Sequence, residues 1–82
     1  MKLIKNSPTS TTVVFSNGTR VLYSYETPVA IENRDGEIIS TTTFYSKTTS
    51  KHVSDWIGGR KAIRVPQEVI SGIIHDLDNR EA

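Results

Sequence analysis

The chain has no cysteine, which excludes disulfides and thiolate metal sites. It has a single tryptophan and 7% aromatic residues, so few large side chains are on hand to anchor a core. The AVILMFWYC fraction is 35%, low for a globular chain, and the core must be small. No stretch approaches the ~20 apolar residues of a membrane span. Met1-Lys2-Leu3-Ile4-Lys5 has no apolar run long enough for a signal peptide. These absences lead us to expect a soluble cytoplasmic protein with no membrane partner. Neither charge sign dominates: 10 basic side chains stand against 9 acidic ones, and the net charge of +1 selects no class of partner.

What is abundant is hydroxyl. Serine and threonine cluster at Thr9-Ser10-Thr11-Thr12, Thr41-Thr42-Thr43 and Thr48-Thr49-Ser50. Threonine favours strands, and both residues favour helix caps. The 82 residues are expected to form one domain, residues 1–82, with no room for two cores.

Taken in order, Lys2 to Lys5 reads as a short strand or a frayed end, and Asn6-Ser7-Pro8-Thr9-Ser10 as a turn or loop. Thr11–Ser16 and Thr19–Tyr25 are β-rich runs around Asn17-Gly18. A two-residue turn there has positive φ at both residues and sets Val14 opposite Val21. Apolar residues occupy both faces of this hairpin, so the pattern leaves the buried face open. Pro28 marks a turn, an edge or a bulge. A third strand follows at Val29–Asn33, then a turn at Asp35-Gly36 and a fourth strand from about Glu37 to Tyr45. A two-residue loop there gives Val29, Ile31, Ile38, Ser40, Thr42 and Phe44 one buried face and turns Ala30 and Ile39 outward.

The period changes after Tyr45. Val53, Trp56 and Ile57 stand at i, i+3 and i+4, so a short helix is expected over Thr49–Ile57. Thr49 or Ser50 is its candidate N-cap, and Gly58-Gly59 stops it. Lys61 to Val65 is extended, with Ile63 and Val65 as a possible edge strand. Pro66 opens a second helix, whose apolar residues are Val69, Ile70, Ile73, Ile74 and Leu77. Gly72 inside it suggests close packing, and Asp78–Ala82 should fray. The expected fold class is α+β: an antiparallel four- to five-stranded β-meander followed by two short helices packed on one face, with Trp56 and Phe44 sharing one core with the last helix.

Charge is unevenly placed. Residues 45–65 carry Lys47, Lys51, Arg60, Lys61 and Arg64 against Asp55 alone, whereas Arg80 faces Glu68, Asp76, Asp78 and Glu81 in the last segment. A helix start offers unpaired N–H groups and partial positive charge, which suit a phosphate. The candidate nucleic-acid contacts are therefore Tyr45, Lys47, Thr49, Ser50, Lys51, His52, Arg60, Lys61 and Arg64. The plainer reading of the same residues is a capped helix with solvated lysines. Gly58-Gly59-Arg60-Lys61 lacks the spacing of a phosphate loop and reads as a helix stop. Ser50, His52 and Asp55 are triad residue types, but on one short helix their directions diverge. The two histidines, His52 and His75, are too far apart in sequence to suggest a metal site. His52 reads as a cap or surface residue, and His75 as part of the polar flank of the last helix. No catalytic residue, metal or cofactor is expected.

Val21-Leu22-Tyr23-Ser24-Tyr25-Glu26-Thr27-Pro28-Val29-Ala30 and Phe44-Tyr45-Ser46-Lys47-Thr48-Thr49-Ser50-Lys51-His52, with Pro66-Gln67-Glu68 later, resemble a family of small uncharacterised proteins encoded by viruses of bacteria and archaea. In that family a similar Tyr-Ser-x-Thr-Pro-Val-Ala stretch, with one residue where this chain has Tyr25-Glu26, precedes a similar Ser-x-Thr-Thr-Ser-x-His segment and a Pro-Gln-Glu helix. The resemblance spans about residues 20–75 and implies a viral or prophage origin. It brings no known activity, so it transfers no functional residue.

Two functions stay open. One is a non-enzymatic protein that contacts nucleic acid through residues 45–64. The other is a protein-interaction module or inhibitor of a host protein, for example a defence protein, that adds an edge strand or presents a helix face.

Overall fold

A computed structural model describes residues 1–81. Its elements are β1 (Lys2–Ser7), β2 (Ser10–Val14), β3 (Arg20–Ser24), β4 (Thr27–Glu32), β5 (Ile38–Thr41), α1 (Lys47–Ile57), β6 (Ala62–Val65) and α2 (Gln67–Glu81). The strands form one six-stranded sheet in chain order. The first five are antiparallel, while β6 joins β5 in parallel. The class is α+β as expected, but both possible end strands form. A parallel neighbour needs a crossover, and α1 supplies it.

Both central hairpins differ from expectation in the same way. Phe15 N–H donates to Thr19 O at 2.8 Å, and Gly18 N–H donates to Phe15 O at 3.0 Å, closing a three-residue loop. The second loop repeats this with Asn33 N–H to Glu37 O at 2.9 Å and Gly36 N–H to Asn33 O at 3.0 Å. Of the first pair only Gly18 has positive φ, at 91°; Gly36 has 88°. Asn17 does not need the left-handed region, because its Oδ1 accepts from Thr19 N–H at 2.9 Å and makes the local turn itself. The extra loop residue shifts each register by one. Val13 pairs with Val21 and Thr12 with Leu22. Ile31 pairs with Ile39 and Ala30 with Ser40.

A one-residue shift changes which side chains share a face. Val13, Phe15, Val21 and Ile31 pack with Ile70, Ile74 and Leu77 of α2. Leu22, Val29 and Ala30 pack with Val53 and Trp56 of α1. Val21 and Leu22 are successive on β3 and both 0% exposed, so the sheet is covered on both faces. The expectation of two helices on one face is corrected: each covers its own side. The expected single core likewise splits in two, and Phe44 belongs to neither, being 70% exposed. Ala30, expected outside, is buried. Pro28 sits at a bulge: pairing passes from Leu22↔Ala30 to Tyr23↔Pro28. Val29 is the extra residue, and it joins Ala30 on the α1 side.

α1 starts earlier than expected. Ser46, in extended conformation, is its N-cap rather than Thr49 or Ser50, and its Oγ accepts from Thr49 N–H at 3.1 Å. Gly58 closes the helix with φ 60° and donates to Ser54 O at 2.9 Å, as glycine at this position allows. Pro66 precedes α2, and Gln67 Nε2 ties the helix to β4 by donating to Pro28 O at 2.9 Å. A Cβ at Gly72 would meet nothing within 4 Å, so close packing does not explain that glycine. α2 continues through Asp78 to Glu81 instead of fraying there, and Ala82 lies outside the described residues.

Candidate nucleic-acid interface

Because α1 crosses from β5 to β6 over one face of the sheet, a groove runs between its flank and that edge. The groove has a volume of about 310 Å³. Ser50 and Ser54 line it from α1, Thr43 and Phe44 from the link after β5, and Arg64 from β6. Val53 and Ile57 supply apolar surface. Helical spacing puts Lys47 on the same flank as Ser50 and Ser54. The lining contains one cation and no carboxylate. Three other clefts each carry an acid, Asp55, Glu26 or Glu37.

The structure divides the expected contact set. Lys47, Lys61 and Arg64 have no ion-pair partner among the described residues. Lys51 pairs with Asp55 at 3.5 Å, both well exposed. Such a pair contributes about 0.3–0.5 kcal/mol and is easily given up. Arg60 is committed within the fold. Its Nε donates to Ile57 O at 2.9 Å, its Nη2 to Trp56 O at 2.8 Å and its Nη1 to Glu32 Oε1 at 3.0 Å. Its guanidinium carbon also lies 5.9 Å from the Trp56 ring centroid. Arg60 therefore finishes α1 by satisfying its last carbonyls. Tyr45 is exposed in the link beside Phe44.

The N–H groups at Thr49 and Ser50 are already used. Thr49 N–H is capped by Ser46 Oγ, and Ser50 N–H donates to Ser46 O at 3.0 Å. Thr49 itself is buried, and its hydroxyl accepts from Ser46 Oγ at 3.2 Å. Its Oγ1 also lies 2.8 Å from Ser24 Oγ.

Sequence reasoning missed what His52 does. It is half-buried, with Nδ1 at 2.8 Å from Ser24 Oγ and Nε2 at 3.1 Å from Thr9 Oγ1. Ser46, Thr49, Ser24, His52 and Thr9 thus form one continuous hydrogen-bonded chain between α1 and the sheet. Tyr25, with φ of 57°, brings its ring to 6.1 Å from the imidazole. A parallel seam joins Trp56 Nε1 to Thr12 Oγ1 at 3.0 Å, and Asn6 Nδ2 to the same oxygen at 2.9 Å. No spacing along the chain announces these contacts, since Thr9, Ser24 and His52 come from the β1–β2 turn, β3 and α1. Both imidazole nitrogens are engaged by the protein's own hydroxyls. That makes His52 a joint between α1 and the sheet.

His75 lies exposed on α2 and contacts Asn79 at 3.3 Å, the polar flank expected of it. Among the described residues no group of three or more His, Cys, Asp or Glu could hold a metal ion, and no helix is long and apolar enough to cross a membrane.

A family model described as a family of unknown function (DUF8033) matches residues 1–72. No curated protein and no solved structure matches.

Proposed function

The chain belongs to this family of unknown function, and from its own surface we propose that it is a non-enzymatic protein holding nucleic-acid phosphates in the groove between α1 and the β5–β6 edge. The observation that carries this reading is Arg64. Its guanidinium has no ion-pair partner among the described residues, and it lines a groove of hydroxyls without a carboxylate. Guanidinium groups bind phosphate bidentately, and serine and threonine hydroxyls donate to phosphate oxygens. Lys47 on the same helix flank adds positive charge, as do the exposed Lys51 and Lys61. Tyr45 is exposed next to Phe44 in the chain. Thr49, His52 and Arg60 hold α1 in place and act through that placement. The resemblance of the segments at 21–30 and 44–52 to proteins of viruses supports a virus-encoded accessory acting in the cytoplasm of its host.

The test is binding of labelled DNA and RNA at several salt concentrations, with wild type and the Lys47→Ala/Arg64→Ala pair. Phosphate contacts carry no base information, so the pair should weaken binding to every sequence about equally. It should also flatten the salt dependence by roughly one unit for each phosphate no longer neutralised. Undetectable binding at low salt, or equal binding by wild type and the pair, refutes the reading.

A second reading rests on β1. This edge strand is exposed along almost its whole length, with Leu3 at 67% and Ile4 at 37%. It suits addition of a strand from a host protein. Capture of such a partner that survives high salt and is abolished by Leu3→Lys would favour it over nucleic acid.

A further inference from the structure

Phe44 is one of the large apolar residues that the fold leaves exposed. It is a large apolar ring, 70% exposed, yet it lines the groove that holds Arg64. Leaving a phenylalanine in water forgoes the gain of burying it. The residues around it do not compensate: Thr43, Ser50 and Ser54 offer hydroxyls, and only Val53 and Ile57 offer apolar contact. The backbone that carries the ring is tied down on both sides. Before it, Thr42 N–H donates to Val65 O at 2.8 Å and Thr43 N–H to Thr41 Oγ1 at 3.1 Å. After it, Ser46 caps α1. An exposed ring on a tied-down backbone, in one groove with donor hydroxyls and a guanidinium that has no ion-pair partner among the described residues, is the arrangement that takes a flat, apolar-faced group attached to an anion.

Resting on the phosphate-binding reading above, we infer that the ligand is single-stranded nucleic acid, with an unstacked base lying on Phe44 and its phosphate on Arg64. A duplex also offers phosphates, but its base faces are stacked on one another and cannot reach the ring. A single strand offers both. The volume of about 310 Å³ is at the small end of ligand clefts, ~300–1,000 Å³, which matches one nucleotide unit. Stacking on an aromatic ring is tolerant of base identity, because every base has a π-face. The inferred preference is therefore for strandedness over sequence.

The experiment compares three labelled probes at several salt concentrations: a single-stranded oligonucleotide, the duplex of the same sequence, and an abasic single strand. The proteins are wild type, Phe44→Ala, Phe44→Trp and Arg64→Ala. Phe44 is exposed and in neither core, so its replacement should leave the fold intact, which circular dichroism checks. Wild type should prefer the single strand to the duplex. Phe44→Ala should weaken single-strand binding roughly tenfold to a hundredfold and leave duplex and abasic binding unchanged. Phe44→Trp should retain single-strand binding. Arg64→Ala should weaken all three probes and lower the single-strand salt slope by about 0.7. Equal affinity for single strand and duplex, or an unaltered Phe44→Ala protein, overturns this inference while leaving an Arg64-dependent phosphate site standing. Binding of no probe at low salt overturns both.

Discussion

Ser24 Oγ lies 2.8 Å from Nδ1 of His52, joining the middle of the sheet to α1 from a position that is 2% exposed. The same oxygen lies 2.8 Å from Thr49 Oγ1. One hydroxyl thus orients both the imidazole and the capped end of the helix. Ser24→Ala leaves two polar groups short of a partner. It should destabilise by about 1–3 kcal/mol, the usual cost of an unsatisfied buried group. Urea denaturation of the variant measures it, and a midpoint equal to that of wild type would show that the chain of hydroxyls contributes nothing.

Trp56 differs from a core tryptophan in having one edge in a hydrogen bond to Thr12 and one face under Arg60. Trp56→Ala should cost toward the lower end of the ~3–5 kcal/mol typical of a buried aromatic, because the ring is only half-buried. Trp56→Phe keeps most of the apolar surface but removes the donor, and should cost about 0.5–1.5 kcal/mol. If the two variants denature at the same midpoint, packing is not what Trp56 supplies.

The two hairpin glycines make a matched pair. Gly18 and Gly36 have nearly equal φ, 91° and 88°, but a Cβ at Gly18 would stand 3.2 Å from Arg34 Cβ, while one at Gly36 would meet nothing within 4 Å. Gly36→Ala should therefore cost only backbone strain, about 1 kcal/mol. Gly18→Ala should cost more, because Arg34 must also move. Thermal melts of the two variants decide it; a larger loss at Gly36 contradicts the geometry.

Burial pushes the Tyr23 phenol above its ordinary value of 10.0, and the Asp78 carboxylate adds to the shift. Below pH 10 both folded and unfolded chains keep the proton, and the associated stability is fully present. As pH rises beyond that, the unfolded chain ionises first, and the stability is lost as pH passes through the folded value. The denaturation midpoint should thus fall more steeply above about pH 10 in wild type than in Tyr23→Phe. Parallel curves would refute a shifted Tyr23.

The existence of the four central strands and both helices was legible from local chemistry, whereas the two end strands were left open. Glycine ended both hairpin loops and α1 because few other residues take positive φ. Val53, Trp56 and Ile57 marked one helix, and Ile70, Ile73, Ile74 and Leu77 the next, because a helix buries every third or fourth residue. Loop closure was harder to read. Asn-Gly suits a two-residue turn, and only the ladder bonds around Phe15 and Asn33 show the three-residue form.

That one residue decided much else. Val13, Val14, Val21 and Leu22 give β2 and β3 apolar residues on both faces, so period-2 reasoning admits either register and cannot say which helix meets which face. Only packing resolved it: the parallel joint to β6 holds α1 over Leu22, and the chain after Pro66 returns across the other side over Val21. The candidate site divides in the same way. Sequence alone placed Lys47 and Arg64 in the basic stretch around the helix start. Tertiary structure alone brought Arg64 to the flank of Ser50, turned Phe44 outward beside them, used Arg60 to finish a helix and linked His52 to Ser24. These contacts join elements far apart in the chain, and no local spacing encodes them.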